Sequence, residues 1–460
     1  MLGVIAFSVF VLFTFLFSIL LLAALKWREE DGKGRVAVVV LGDIGRSPRM
    51  QYHALSLCRE GYSVDIVGYG GSAPLKELVD SSNVKIHYLS EPFQFFTGSL
   101  KHFQFLFKVL HQSFTLIWTL VFQVNKCSCI ITQTPPAIPT LCIVWMVCRL
   151  KGSKMLVDWH NYGYTLLALA LGNDHTLVSI SKKFEALFGY MADSSYCVTQ
   201  AMKKDLMTNW RVTSKVLYDR PTEKFRPSSL KEQHELFMKI GQSYPEFKSS
   251  DSNPHSTVFT TYDTADDLVH LRNDRPFLII SSTSWTEDED FSILLTALEG
   301  YDEAASGEES LPCLLCVITG KGPLKEYYEG LIKTKNLTKV KICTLWLTSE
   351  DYSLLLGSAN LGVSLHKSSS GLDLPMKIVD MFGSGLPVCA LQFYCIDELV
   401  KHDQNGLLFS DGHNLSNQIQ ELAVNFPAFN GKLSKFKENL KPFQSLRWDH
   451  FWKIHVLPAL

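Results

Sequence analysis

The chain has little surplus charge of either sign: 44 lysines and arginines stand against 46 aspartates and glutamates, a formal net charge of −2 over 460 residues. Proteins that grip nucleic acid concentrate basic side chains, so this balance gives no electrostatic case for such a partner. Paired cysteine chemistry is also lacking. The eleven cysteines are scattered, and the one Cys-x-x-Cys, Cys313 with Cys316, falls inside an apolar run over 311–317. Residues three apart on a strand point to opposite faces, so that pair cannot share a metal. Without a disulfide-like framework, the thiols read as reduced, in a reducing compartment. There is no internal repeat and no G-x-G-x-x-G dinucleotide fingerprint. The length implies two domains with additional segments.

What the chain does have is a long apolar start. Residues 2–25 carry no charge and include fourteen Leu, Phe or Ile residues. As a helix they span roughly 36 Å, enough to cross a ~30 Å hydrocarbon core. A cleaved signal peptide is the alternative, with Ala23 and Ala24 as its small residues, but its apolar region would be shorter and its start charged. Lys26, Arg28, Lys33 and Arg35 follow the run. The positive-inside rule keeps that flank cytosolic, so a single transmembrane signal anchor with a cytosolic body is expected. The sequons at Asn336 and Asn414 would then stay unmodified.

Beyond the anchor the pattern is α/β, with continuous apolar runs typical of buried parallel strands alternating with helices. Residues 36–225 form the first expected domain and 276–430 the second. Between them 226–275 is polar and reads as a linker or loop insertion, while 431–460 reads as a helical tail packing back toward the first domain. Residues 93–124 mix Phe, Leu and Trp with Lys101, His102, Lys108 and His111, which suits either a core or an interface with a membrane.

Several loops carry candidate chemistry. Strand 36–41 runs into Gly42, Asp43, Gly45, Arg46 and Arg49, where glycines admit a ligand to the backbone and arginines offer charge to a phosphate or diphosphate; a solvated turn is the alternative. Asp158 and His160 end another strand, where ligands of open α/β sheets bind. In the second half Gly320, Lys321 and Gly322 follow a strand. Strand 361–365 leads through His366, Ser368, Ser369, Ser370 and Gly371 into a helix of about ten residues carrying Asp373, Lys377 and Asp380 on one face. A serine-rich loop before a helix N-terminus can cradle an anion. A surface helix capped by Asp373, with Pro375 in its first turn, accounts for the same spacing.

Five strings complete the picture: GDIGRSPRMQYHA (42–54), DWHNYGY (158–164), SSTSWTEDEDFSILL (281–295), VITGKGPLKEYY (317–328) and SSSGLDLPMKIVDMFG (368–383). Together they strongly resemble the chitobiosyldiphosphodolichol β-mannosyltransferases, glycosyltransferase family 33, over nearly the whole chain. The resemblance implies a GT-B fold, two Rossmann-like domains facing a cleft. It implies an inverting enzyme moving mannose from GDP-mannose to dolichyl-diphosphate-GlcNAc2 in a β-1,4 linkage at the cytosolic face of the endoplasmic reticulum, for protein N-glycosylation. No cofactor is implied, and other transferases of the same pathway are candidate partners. Asp380, seven residues before Pro387, matches the carboxylate that holds the nucleotide ribose. The usual E-x7-E pair is broken, since its first position falls on Leu372. Ser368–Gly371 and Lys377 are the candidates for the departing diphosphate, aided by Lys321 and Arg46, and His366 is a further donor contact. Asp43 ranks first as general base, followed by His160 and Asp158. Asp288-Glu289-Asp290 has metal-ligand spacing but reads as a helix cap, so no metal is expected. A transferase for another nucleotide sugar or polyprenyl-diphosphate acceptor, and a non-catalytic membrane scaffold, are the competing readings.

Overall fold

The computed structural model describes residues 32–92, 101–251, 253–286, 289–428 and 431–460. The expected anchor, 2–25, lies outside the described residues, as do 93–100 of the apolar stretch and Asp288. Among the described residues no helix is long and apolar enough to cross a membrane. The described chain forms two compact units, one running up to Tyr218 and including Trp452–Leu460, the other Asp219–Phe451.

The first unit is built on seven parallel strands: β1 (Arg35–Asp43), β2 (Ser63–Tyr69), β3 (Val84–Tyr88), β4 (Cys129–Thr134), β5 (Lys154–Trp159), β6 (Ser194–Cys197) and β7 (Lys215–Val216). Their order is β3-β2-β1-β4-β5-β6-β7. The unbroken Val36–Val40 run follows from this position: a central parallel strand is covered on both faces, and all five residues are fully buried. The helix Pro48–Arg59 starts with proline where its missing N–H costs nothing.

In the second unit, the hairpin β8 (Thr260–Asp263) and β9 (Leu268–Leu271) precedes a six-stranded parallel sheet. That sheet holds β10 (Phe277–Ser282), β11 (Leu314–Thr319), β12 (Val340–Leu345), β13 (Leu361–Ser364), β14 (Val388–Leu391) and β15 (Gly406–Phe409) in the order β12-β11-β10-β13-β14-β15. Both sheets reverse strand order once, between β1 and β4 and between β10 and β13. Loops leaving the carboxyl ends of such strands part there and leave room for a ligand.

Three boundaries differ from the sequence reading. The units divide after Tyr218 rather than near 225. Residues 226–275 are no linker: they hold the helix Leu230–Gly241, closed by a Ser229–Glu232 capping box, and the β8–β9 hairpin. Phe237, Phe247 and Phe259 are buried ring against ring, with Phe237 and Phe259 centroids 4.6 Å apart, in the same core as Leu278 and Ile280. Three aromatics spread over a polar stretch set up no periodicity, which hid the element from pattern reading. Of the tail, only Trp452–Leu460 belongs to the first unit; Leu433, Phe436 and Leu440 of the helix Lys432–Ser445 are buried in the second.

Phe247→Ala removes a fully buried ring of this cluster and should destabilise the second unit by about 3–5 kcal/mol. Denaturant unfolding should show its transition moving while that of the first unit stays in place.

Candidate active site

In the first unit, the loop leaving β1 is fastened from within. Asp43 Oδ1 accepts from the Gly45 N–H at 2.9 Å, and Oδ2 accepts from the Ser72 N–H at 2.9 Å. Burial raises the Asp43 carboxyl, but the Ser72 and Gly45 hydrogen bonds and the Arg46 charge outweigh it, so the net shift is downward. A carboxylate so held is a weak proton acceptor, which counts against its first rank as base. Arg46 is exposed, 3.6 Å from Asp43 and donating to Ser72 Oγ at 3.2 Å. Gly42 and Asp43 line a cavity with Tyr69, Glu91, Lys108 and Gln112.

Asp158 lies two strands away, fully buried at the end of β5. Arg49 grips it by a fork, Nε to Oδ2 at 2.7 Å and Nη2 to Oδ1 at 2.9 Å. Burial opposes its ionisation, but Arg49 and two histidines overcome this and hold its carboxyl well below the usual range. Arg49, expected at a phosphate, is instead 2% exposed, and its Nη1 donates to Leu217 O at 2.9 Å. Asp158, expected as a candidate base, is likewise consumed. His53 Nε2 and His160 Nε2 each lie 3.0 Å from Asp158 Oδ2. An ionised carboxylate only accepts, so both Nε2 atoms carry the proton. His53 Nδ1 accepts from the Trp452 indole N–H at 2.8 Å, closing that ring off. Burial pushes the His53 imidazolium pKa down, which keeps it neutral. His160 differs: its side chain is 24% exposed, and Nδ1 keeps its lone pair. Of the three base candidates, His160 alone combines access with an orienting carboxylate.

In the second unit, the loops after β10, β11 and β13 interlock. A Cβ on Gly320 would stand 1.8 Å from Thr283 O, and one on Gly322 1.7 Å from Ser284 O. The two glycines therefore serve loop-on-loop packing, and Lys321 places its ammonium 4.1 Å from the Trp346 ring centroid. Glu289, 4% exposed, accepts from Lys377 Nζ, Thr283 Oγ1 and the Ser284 N–H, each at 2.6 Å. Burial raises the Glu289 carboxyl, but Lys377 and these hydrogen bonds bring it below its ordinary value. Lys377 is thus an ion-paired ammonium, 30% exposed, rather than the free cation expected for a diphosphate.

The helix here is Met376–Gly383, eight residues, with Pro375 at its N-cap. Asp373 precedes it and caps nothing: its Oδ1 accepts from Ser368 Oγ, and its Oδ2 lies 3.5 Å from His366 Nε2. Ser370 Oγ accepts from the Leu372 N–H at 3.1 Å, and Gly371 has φ +73°, so the serine loop is wound on itself before the helix. Ser369 lies within the same turn. His366 Nε2 is buried without a hydrogen bond. The carboxyl of Asp380, a partly buried residue, makes no hydrogen bond among the described residues, and burial raises it to about 8, with Lys224 opposing and Asp219 adding. The group of three acidic or histidine side chains among the described residues with metal-ligand spacing, Asp263, Asp266 and His270, is exposed on the β8–β9 hairpin, apart from these loops.

Sequence reading missed Glu289 as the partner of Lys377, His53 and Trp452 around Asp158, and Tyr69, Glu91 and Gln112 in the cavity. Tyr69 alone carried a signal, as the last residue of a strand.

The family model described as glycosyl transferases group 1 matches residues 264–439. The human chitobiosyldiphosphodolichol beta-mannosyltransferase is 48% identical over 451 residues, covering 97% of this chain and 97% of its own. The chain belongs to the chitobiosyldiphosphodolichol β-mannosyltransferase family. A relative of that name from Dictyostelium discoideum is 40% identical, covering 91% of this chain and 92% of its own. The Arabidopsis thaliana UDP-glycosyltransferase TURAN is 46% identical, covering 93% and 97%. Among solved structures, a sucrose-phosphate synthase from Thermosynechococcus elongatus superposes with TM-score 0.65 at 12% identity, over 92% of this chain and 98% of its own. Anabaena HepE in complex with UDP-glucose gives 0.62 at 14%, over 93% and 100%. At such identities these show the fold, GT-B with Rossmann-like parallel sheets.

The raised Asp380 carboxyl has a consequence for this family member's pH behaviour. Between about pH 4 and about pH 8 the folded state holds a proton that the unfolded state has released, so stability falls as pH rises through that window. Asp380→Asn should remove this slope. Thermal unfolding should show the variant gaining on the parent chain at alkaline pH and matching it at acid pH.

Proposed function

We propose that the chain transfers mannose from GDP-mannose to GlcNAc2 carried on diphosphodolichol, with inversion, to form a β-1,4 linkage. The near-complete match to the human enzyme of that name carries this reading. The geometry supports a mechanism. An α-linked donor giving a β product requires one in-line displacement, so a base must take the acceptor hydroxyl proton. We assign that proton to His160 Nδ1. Asp158, kept ionised by Arg49, holds the ring in the required tautomer and stabilises the imidazolium that forms. As the acceptor oxygen bonds to the anomeric carbon, the bond to the phosphate oxygen breaks and GDP leaves with its electrons. In the second unit, the first turn of the helix Met376–Gly383, whose Ile378 N–H already donates to Pro375 O, can offer the Met376 and Lys377 N–H groups to the growing charge, and the positive end of its dipole adds to them. Lys377 can offer a further N–H donor while remaining paired with Glu289. Asp380 is assigned to the ribose.

His160→Gln should lower kcat by about 10²–10⁴ with donor KM little changed. The assay is transfer of radiolabelled mannose from GDP-mannose to dolichyl-diphosphate-GlcNAc2. Turnover within threefold of the parent would sink the assignment. Because TURAN is named a UDP-glycosyltransferase, a UDP-sugar donor is the second reading. Inhibition by GDP but not by UDP in the same assay separates the two.

We further propose that residues 2–25 anchor the enzyme in the endoplasmic reticulum membrane with both units cytosolic. An apolar row on the first unit supports a bilayer close by. The helix Lys101–Trp118 packs on Thr140–Lys151, which packs on Thr176–Tyr190, which in turn packs on Gly163–Leu171, and together they leave Phe114, Trp118, Leu169, Leu187 and Tyr190 exposed. The helix Gly163–Leu171, GYTLLALAL, contains no buried residue at all. A surface so apolar is unusual for a protein that meets only water. In proteoliposomes, a carbene photoprobe dissolved in the lipid should label peptides spanning 114–122 and 166–190 besides 2–25. Exposed Tyr327 and Trp346 should stay unlabelled; label confined to 2–25 would refute the bilayer contact.

A further inference from the structure

Glu185, on the helix Thr176–Tyr190, is a fully buried side chain that the transfer mechanism above does not use. It faces the start of the helix Gly163–Leu171, where the chain has just left His160. Its Oε1 accepts from the Tyr164 N–H at 2.7 Å and from Ser181 Oγ at 3.1 Å, and its Oε2 accepts from the Gly163 N–H at 3.1 Å. Glycine makes room for this approach, since a Cβ added to Gly163 would stand 3.1 Å from Oε1.

The segment 160–164 is tied at three points. The His160 and Asn161 N–H groups donate to Thr134 O at the end of β4, at 3.1 and 3.3 Å. The Tyr162 hydroxyl donates to half-buried Asp205 at 2.8 Å, and the Tyr162 and Trp210 ring centroids lie 4.6 Å apart. Glu185 holds the last point, Gly163 and Tyr164. The helix that follows has no buried residue, so its own side chains give it no interior anchor and the Glu185 tie sets where it begins.

This tie is chemically conditional. Burial raises the Glu185 carboxyl to about 7, against the hydrogen bonds from Ser181, Tyr164 and Gly163, which lower it. Among the described residues Glu185 forms no ion pair. The titratable group against it is the Tyr164 phenol, itself raised by burial to about 12, and Lys182 places its ammonium 5.3 Å from the centroid of that ring. Of the other helices packed on this one, Gln200–Trp210 spends Asp205 on Tyr162, and Thr140–Lys151 spends Arg149 on Asp193 and Lys151 on Val124 O. Linkage is reciprocal: hydrogen bonds that favour the ionised carboxylate are strengthened when it ionises. Protonation puts a hydrogen on one oxygen, and the N–H facing that oxygen then meets a donor.

Resting on the assignment of His160 as base, we propose that Glu185 is a positioning residue for that histidine, fastening the segment 160–164 as a carboxylate and loosening it on protonation. The proton goes to Oε2, which has one donor against the two on Oε1, and the Gly163 N–H is released. Global stability moves the other way. Between about pH 4.5 and about pH 7 the folded chain holds a proton that the unfolded chain has lost, so this site weakens the fold as pH rises while it tightens the segment.

The test reads amide exchange by mass spectrometry on the full chain, corrected for the intrinsic pH dependence of exchange. Protection of the peptide 160–166 should rise about tenfold in the parent from about pH 6 to about pH 8. Glu185→Gln cannot ionise and presents an amide donor. It should abolish the rise and lower kcat about tenfold at about pH 8, with donor KM within about twofold. Ser181→Ala removes a hydrogen bond that favours the charged form. It should move the midpoint of the rise up by about one pH unit and leave the alkaline kcat within about twofold, a shift that a merely structural carboxyl would not give. If His160→Gln keeps the parent's turnover, the base assignment fails, and the exchange midpoint still decides whether Glu185 fastens the segment. Protection that ignores pH in the parent, or a midpoint unmoved by Ser181→Ala, would overturn the proposal.

Discussion

A single buried charge organises the first unit. Asp158 sits in the interior at the end of β5, where an unpaired carboxylate would cost several kcal/mol. Its partners come from distant parts of the chain: Arg49 and His53 from the helix after β1, and His160 from its own loop. Trp452, near the carboxyl terminus, completes the shell through His53. Arg49 also ties in the chain just after β7 through Leu217 O. One ion thus fixes two loops at the sheet edge and the terminal segment of the unit. The same constraint sets the chemistry, because an ionised Asp158 leaves His160 only one tautomer.

The second unit repeats the device with different residues. Glu289, from the segment after β10, is buried and pairs with Lys377 on the helix after β13. The pair crosses the strand-order reversal and holds the two loops that flank it.

The two carboxylate pairs trade strength for order. Replacing a buried ion pair with apolar side chains is often neutral or stabilising, so neither pair is required by stability alone. What they provide is a loop geometry with few alternatives, which a displacement reaction needs because reacting atoms must be held in line. Asp380, whose carboxyl makes no hydrogen bond among the described residues, stands on the same helix as Lys377.

Much of this was legible in the sequence, and for a physical reason. The runs at Val36–Val40 and Leu314–Ile318 are apolar because central parallel strands are covered on both faces, and that local demand writes itself into consecutive residues. The alternation of strand and helix, the GKG loop and the segment containing Asp380 were readable on the same grounds. Side-chain partnership was not. Arg49 looked like a phosphate ligand and Asp158 like a base, because a sequence states which groups are charged and leaves open which are buried together. Their contact joins residues 109 apart, and that of His53 with Trp452 joins residues 399 apart. The folded element within 226–275 escaped for a related reason, since its three aromatics meet only once the chain is closed. Composition and periodicity determined the strands and the helices, and five recognisable strings marked the family; only tertiary packing decided which of the marked charges are spent on one another and which, like His160, remain for chemistry.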